Sequence, residues 1–271
     1  MLVKQGIVYG WWNMKFKNIN QMYKHYVNVI LKNGKQVGNT KELTNVIFTV
    51  KDVINNNVIN IRGISYKYVL AELIWYFSGS NSTEFIGQFG DMWNKISDDG
   101  VTNNSAYGFI LKEKYDFDQI EKIIELLKKD PNSRRAVLNI NSANKNVIET
   151  KDEPCTISIQ FILRNGYLNM TTVMRSNDLY FGLPYDAIFF TELQKYIACR
   201  LNCDIGWWTH FVGSMHIYER DMKKLSNLVE DEVNYKVNIM KLIKNVDYLY
   251  KTVNKDNIIE ICKNLGVLYE V

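Results

Sequence analysis

Apolar positions along the chain fall into short runs with distinct periods. Residues 42–50 and 56–61 read as strands on either side of an Asn-rich turn at Asn55–Asn57. Over residues 66–77, the apolar side chains Tyr66, Val69, Leu70, Leu73, Ile74 and Phe77 recur every three or four positions, which predicts a helix with one apolar stripe. Residues 118–129 repeat the pattern with Ile120, Ile123, Ile124 and Leu127, and Pro131 stops that helix. Arg135 to Ile140 is a short, mostly apolar strand. Thr156 to Leu163 alternates, which puts Ile157, Ile159 and Phe161 on one face and Ser158 and Gln160 on the other. Asn165-Gly166 is a hairpin turn, since both residues tolerate positive φ, and the return strand runs from Leu168 to Arg175. Residues 187–202 predict a buried helix. Trp208 to Tyr218 predicts a last strand, with Gly213 as a candidate bulge. This mixture is α+β, with helices against a largely antiparallel or mixed sheet.

With 271 residues, the chain has room for one large domain or two small ones. Only three prolines occur, and neither a Gly/Ser-rich linker nor an internal repeat divides the sequence, so residues 1–271 read as a single domain. Apolar residues at 46% supply a sizeable core. A net charge of +4 suits a local basic pocket for a small anion and is too mild and too evenly spread to argue for a nucleic-acid tract. Cys155, Cys199, Cys203 and Cys262 do not form a secreted disulfide framework. The N-terminus lacks a charged-then-apolar leader pattern, and the longest apolar stretch, Val69 to Phe77, contains Glu72 and is too short to span a bilayer. These features predict a soluble protein of a reducing, cytoplasmic compartment.

Several residues carry chemistry that the elements alone do not require. Cys155 follows Pro154 at the start of the first hairpin strand, where a thiol is either a small core hydrophobe or a partly exposed nucleophile. The paired strand ends in Met174-Arg175-Ser176-Asn177-Asp178. Its guanidinium would favour a thiolate, and Arg175 with Ser176 could hold a phosphate. Arg134 and Arg135 enter a strand side by side and so point to opposite faces, which suits a subunit interface or a solvated charge pair. Glu72 lies among Tyr68, Val69, Trp75 and Tyr76 at helical neighbour positions. A carboxylate there needs a partner, and a raised pKa would suit proton transfer. His216 and Tyr218, two apart on a strand, share one face and could donate to a sugar hydroxyl; His210 joins them if no bulge intervenes. A metal site from His210, Cys199 and Cys203 is conceivable, but a cysteine pair four apart on an apolar helix points to core packing. No P-loop or dinucleotide fingerprint is present.

Six ordered motifs are similar to those of the thymidylate synthase family: Glu72-Leu73-Ile74-Trp75, Asp130-Pro131-Asn132-Ser133-Arg134-Arg135, Pro154-Cys155 with Gln160 five residues on, Arg175-Ser176-Asn177-Asp178, Gly182-Leu183-Pro184-Tyr185-Asp186, and His216-Ile217-Tyr218. The resemblance covers about residues 20 to 220 and matches the last fifty poorly. It implies the family's fold, a large mixed sheet covered by helices, and a homodimer packed through that sheet. Thr156 after the cysteine, Asp186 in place of the family's asparagine, and the stretches Asn103 to Gly108, Met174 to Asp178 and Gly213 to Tyr218 resemble the phage deoxycytidylate hydroxymethylase branch.

Carried over by position, the resemblance makes Cys155 the nucleophile, with Glu72 organising proton transfer through water and Tyr107 assisting at the ring's C5. Arg175 and Ser176 would bind phosphate, Arg134 and Arg135 would reach in from the other subunit, and Gln160 falls in the nucleotide-binding set. His216 and Tyr218 would hold the sugar, and Asp186 would choose the base, unless it merely caps the helix that follows. Trp93, Asp178, Gly182 and Tyr185 would line the folate side. Lys41 stands roughly where the family has a further phosphate arginine. The expected reaction is hydroxymethylation of deoxycytidylate with 5,10-methylenetetrahydrofolate as co-substrate and no metal, in a host's cytoplasm if the gene is a phage's. The rivals are reductive methylation of deoxyuridylate or deoxycytidylate and a catalytically silent nucleotide-binding protein.

Overall fold

The structure, a computed structural model, describes residues 14–53, 64–230 and 246–265. The predicted strand 56–61, its Asn55–Asn57 turn and the N-terminal leader region lie outside the described residues.

Strand β1 (Met14–Asn18) runs straight into helix α1 (Ile19–Asn33). The side chain of Asn18 accepts from Gln21 N and caps the helix, and Ile19, Met22, Tyr23, Tyr26, Val27 and Ile30 form its buried stripe. Neither element is among the sequence-based expectations, although the stripe is legible at helical spacing. Each buried side chain of this size contributes about 1.5–3 kcal/mol, so α1 is a main support of the sheet. Strands β2 (Lys35–Val37) and β3 (Thr40–Asp52) follow. Then come α2 (Tyr66–Ser78), capped by Ser65 and closed by left-handed Gly79, the short helices α3 (Thr83–Ile86), α4 (Met92–Ile96) and α5 (Tyr107–Lys112), and α6 (Gln119–Lys129), capped by Asp118. Strand β4 (Val137–Asn139) leads to the hairpin β5 (Thr156–Arg164) and β6 (Tyr167–Asp178). Its turn holds Asn165 and Gly166 at φ 52° and 79°, as a two-residue primed turn requires. Helix α7 (Gly182–Leu201), strand β7 (Asp204–Tyr218) and helices α8 (Glu219–Glu230), α9 (Val246–Thr252) and α10 (Ile258–Asn264) complete the described order.

The strands form one mixed seven-stranded sheet in the order β1-β3-β7-β6-β5-β4, with β2 added to β3. The pairs β1–β3 and β6–β7 are parallel and the others antiparallel. Helices α1 and α7 cover one face, where Tyr26 packs on Phe48 and Phe190 packs on Trp208. On the opposite face Tyr167 and Trp207 are 50% and 53% exposed in the single chain.

Burial changes phase at one level of this sheet. In β7 the buried residues Trp208, His210 and Val212 give way to Met215 and Ile217. In β6, Met170, Thr172 and Met174 give way to Asn177, and in β3 Val46 and Phe48 are preceded by half-buried Leu43 rather than Thr44. The register aligns these slips, with Met174 and Val46 both beside Val212, and Asn177 and Leu43 both beside Met215. Strand β5 joins them through a bulge between Thr156 and Ser158, opposite Met174 and Val173. One expectation changes accordingly, and another fits. Ile157, the extra residue of the bulge, is 39% exposed and does not share a face with Ile159 and Phe161; Thr156 turns inward instead. Gly213 stands at the slip, as a bulge in β7 requires, and the register stays in step because β3 and β6 slip at the same level. A Cβ there would lie 2.8 Å from the Arg175 carbonyl oxygen, and Asn45 takes up left-handed backbone at φ 54°.

Helix α7 starts at Gly182, five residues before the predicted start. Pro184 in its first turn needs no hydrogen-bond acceptor there, so Gly-Leu-Pro opens the helix rather than preceding it. Asp186 therefore sits inside the helix and does not cap it. Strand β4 is shorter than expected, beginning at Val137. Arg134 and Arg135 belong to the turn before it, where strand alternation does not apply.

Candidate active site

Helix α2 and helix α5 approach each other at Gly108, where a Cβ would lie 1.7 Å from the Tyr76 carbonyl oxygen. That contact lays Tyr107 on Tyr76, with ring centroids 5.3 Å apart and planes at 17°. Tyr107 OH accepts from Thr156 Oγ1 at 3.0 Å, a bond available because the β5 bulge turns Thr156 inward. Ser105, just before α5, donates through both N and Oγ to the buried Asp152 carboxylate. The loop leading into Cys155 is thus tied to the same helix as Tyr107.

Arg175 holds this loop from the other side. Its N donates to Cys155 O at 2.9 Å, its Nε to Pro154 O at 3.1 Å and its Nη2 to Glu153 O at 2.7 Å. The guanidinium favours a Cys155 thiolate, as expected, but it does not win. Burial pushes the thiol up, and Asp186, Asp152 and Asp178 add to the rise.

Glu72 is 8% exposed, and its Oε1 accepts from Tyr68 OH at 2.7 Å. Tyr68 OH in turn accepts from Trp93 Nε1 at 2.8 Å. Burial raises the Glu72 pKa to about 8 against the Tyr68 bond, with the Asp186 charge adding to the rise. Asp186 itself is pushed up to about 7 by burial; a bond from Asn177 Nδ2 to its Oδ2 at 2.8 Å opposes the shift and the Asp178 charge reinforces it. Asp178 also accepts from Tyr180 N and lies beside His216 in the register, and burial raises its pKa.

The phase slip separates two sets of side chains that simple alternation would mix. His216 and Tyr218 share a face, with rings 5.2 Å apart at 84°, and Ser176 pairs with Ser214 one step along the same surface. His210 does not join them. It lies buried on the helix side, with Nδ1 2.6 Å from Thr172 Oγ1, and burial lowers its pKa to about 3. No group of His, Cys, Asp and Glu among the described residues could hold a metal, and Cys199 is exposed rather than packed in the core.

Other expected residues lie elsewhere. Gln160 is about 16 Å along the strand from Cys155 at ordinary strand rise, and its Nε2 donates to Arg134 O at 2.9 Å. It supports the arginine turn and does not reach the Cys155 cluster. Lys41 pairs with Ile217, on the face opposite His216, and its Nζ donates to Leu31 O at 3.0 Å, which turns it away from the phosphate set. Arg134 and Arg135 are exposed, and neither guanidinium has a partner among the described residues. Trp93 is 5% exposed and acts on the site through Tyr68, not as an open wall.

Three contributors lacked an assigned role at the level of sequence: Tyr68, Asp152 and Asn177. Tyr68 stands four residues before Glu72, a spacing that places it on the same helix face, whereas Asp152 and Asn177 gain their partners only through tertiary contact. Beside Glu72 the Tyr68 and Tyr185 rings lie 4.8 Å apart, next to Gly182 and Asp178, with exposed Phe181 at the edge. Aromatic faces beside a carboxyl fit a flat heterocycle carrying N–H groups, as a reduced pterin does.

The fold and these side chains define an α+β protein with one thiol set among acids and tyrosines at the end of a slipped mixed sheet. The chain belongs to the thymidylate synthase family: the family model described as Thymidylate synthase matches residues 21–261, which takes in most of the C-terminal segment that the motifs left out. That family uses methylenetetrahydrofolate as a co-substrate. The chain is 34% identical over 168 residues to a deoxyuridylate hydroxymethyltransferase of Pseudomonas phage M6, covering 61% of this chain and 48% of that protein. It is 29% identical over 219 residues to a protein of the same description from Bacillus phage SP01, covering 74% and 57%. The chain thus spans about half the length of these phage relatives. A thymidylate synthase of Mycoplasma genitalium is 24% identical over 241 residues, covering 76% and 83%. Among solved structures, a thermostable thymidylate synthase A from Bacillus subtilis shares the fold, with a TM-score of 0.68 at 22% identity over 79% of this chain and 85% of that one. Among the described residues no helix is long and apolar enough to cross a membrane.

Proposed function

We propose that the protein hydroxymethylates deoxycytidylate at C5, using methylenetetrahydrofolate and releasing tetrahydrofolate. The observation that carries this reading is the convergence of Asp186 with Cys155, Glu72 and Tyr107, in a site whose asparagine partner holds a carboxyl where the family's motif has an amide.

Cys155 Sγ forms a bond to C6 of the pyrimidine, and the C5–C6 electron pair moves onto C5, which makes that carbon a nucleophile. The folate supplies a one-carbon unit at the oxidation level of formaldehyde. Glu72, with a pKa near 8, exchanges a proton with the water that serves C5, and Tyr68 keeps its carboxyl in place. Tyr107, fixed by Thr156 and Tyr76, lies close to both Cys155 and Asp186 and excludes bulk water from C5. C5 bonds the one-carbon unit and gives up its proton to the water held by Glu72, and the carbon's bond to nitrogen breaks with its pair leaving on tetrahydrofolate. Water adds to the exocyclic methylene that remains, the displaced pair re-forms the C5–C6 double bond, and the Cys155 sulfur leaves C6 with its bonding pair.

Arg175 and Ser176 serve the phosphate, and His216 and Tyr218 the sugar. Trp207, Tyr167 and Ile157 on the uncovered sheet face, together with the unpartnered Arg134 and Arg135, support a homodimer in which each copy lends its arginines to the other's phosphate. Asp186 favours cytosine. A carboxylate oxygen accepts from the N4 amino group, and N3 accepts the carboxyl's proton or carries it. The phage relatives, named for hydroxymethyl transfer, support water rather than hydride as the final nucleophile. A silent nucleotide binder would need neither a thiol whose loop is held by three bonds from Arg175 nor a buried acid beside it.

The test is to incubate the protein with methylenetetrahydrofolate and each pyrimidine monophosphate and to weigh the product. Deoxycytidylate should gain a hydroxymethyl group without the absorbance rise of dihydrofolate. Formation of dihydrofolate would assign reductive methylation, and product from deoxyuridylate alone would overturn the cytosine assignment.

A further inference from the structure

Asn177 is 2% exposed on β6, on the helix side of the sheet because the phase slip lies just before it. Its Nδ2 donates to Asp186 Oδ2, while its own Oδ1 is buried with no hydrogen-bond partner. An interior amide that leaves its carbonyl unpaired is costly, and an apolar side chain of the same size would avoid that cost. The surroundings also make room for this pair. A Cβ on Gly182 would lie 3.0 Å from Asn177 Nδ2 and 3.3 Å from Asp186 Oδ2, closer than most side chains approach. Oδ2 is therefore the oxygen tied to Asn177, with its second lone pair still able to accept from a ligand, and Oδ1 carries no such tie.

A neutral carboxyl carries its proton on one oxygen only. That oxygen is a donor, and the other is the better acceptor. A base edge read by two adjacent atoms is distinguished by the order of donor and acceptor. Cytosine offers a donor at position 4 and an acceptor at N3, and uracil offers the reverse. A carboxyl whose proton can sit on either oxygen matches both orders, so it discriminates less than one whose proton is fixed.

We propose that Asn177 is the positioning residue for base choice: by donating to Oδ2 it confines the Asp186 proton to Oδ1 and so fixes a single order of donor and acceptor. This deepens the reading of Asp186 given above and rests on it. Protonation of Asp186 is accessible near neutrality, since its pKa lies at about 7. The titratable groups around it are Glu72 and Tyr76 from α2, Tyr107 from α5, Cys155 from the start of β5 and Asp178 from β6. None of these is a cation, so Asn177 supplies the one directional donor that the described residues give the carboxyl.

The experiment is Asn177→Leu, which keeps volume and removes the donor. Specificity constants for deoxycytidylate and deoxyuridylate, and the affinities of the folate-free protein for both, are measured side by side. The ratio between the nucleotides should fall toward one by on the order of tenfold or more. A merely structural role would lower both constants together and leave the ratio unchanged, which overturns the proposal. If Asn177→Leu does not fold, Asn177→Ala removes the donor without apolar bulk beside the carboxyl, and it should also bind the two nucleotides alike; retained discrimination there is equally fatal. A wild type that prefers deoxyuridylate, with the preference lost in Asn177→Leu, would sink the cytosine assignment while leaving the role of Asn177 standing. A preference for deoxycytidylate untouched by the substitution would do the opposite.

Discussion

Glu72→Gln isolates the cost of the buried acid from the chemistry of the site. Glutamine retains an oxygen to accept from Tyr68 and cannot ionise. In the wild type the Glu72 carboxyl titrates at about 8 when folded, against about 4.3 in an unfolded chain. The folded state therefore binds more protons between those values. The associated stability is fully present below the unfolded value and is lost as pH rises through the folded one. At about 1.36 kcal/mol per pH unit, the interval from pH 5.5 to 8 amounts to ~3 kcal/mol. Urea unfolding of the nucleotide-free wild type and variant at both pH values measures it. The wild type should lose about 3 kcal/mol relative to the glutamine variant on going to pH 8. Parallel pH dependences in the two proteins, within about 0.5 kcal/mol, would show that Glu72 is not held protonated by burial.

The remaining predictions concern the nucleophile, the shared site and the packing that supports both. Cys155→Ala should abolish turnover yet still bind nucleotide, because the phosphate and sugar contacts are untouched; any turnover at the wild-type rate removes Cys155 from the mechanism. Mixing Cys155→Ala with an Arg134→Ala/Arg135→Ala double variant should restore activity, since one site of such a heterodimer keeps both its thiol and its arginines. No recovery after demonstrated subunit exchange would refute the lending of arginines between copies. Gly108→Ala places a methyl group 1.7 Å from the Tyr76 carbonyl oxygen, and should cost about 3 kcal/mol or more in thermal or urea unfolding, beyond the usual range of overpacking; a neutral substitution would mean that α5 and α2 separate easily.

Local chemistry was enough for a good part of this protein. Asn165-Gly166 could only be a tight primed turn, since few residue pairs tolerate two positive φ angles. The stripes of 66–77 and 118–129 marked helices to within a residue, because their periods and caps are encoded within a dozen positions. The ordered motifs around Cys155, Arg175 and Asp186 pointed to the family, which the full chain bears out. What lay beyond the sequence was decided by neighbours distant along the chain. The shift of burial phase is shared by β3, β7, β6 and β5 in register; Gly213 marked it in β7, while β5 and β6 read alone as simple alternation. That shift put His210 in the core and His216 on the opposite face, exposed Ile157, and turned Thr156 toward Tyr107. Gln160 and Lys41 found backbone carbonyls to bind, contacts fixed by the turn before β4 and the end of α1. Burial raises the pKa of both Cys155 and Asp186; it depends on everything packed around them and outweighs the charge of the adjacent arginine in the thiol's case. A sequence specifies turns, caps and periods through interactions over a few residues. Register, face and solvent access are properties of the assembled sheet and its helices, and the candidate site depends on all three.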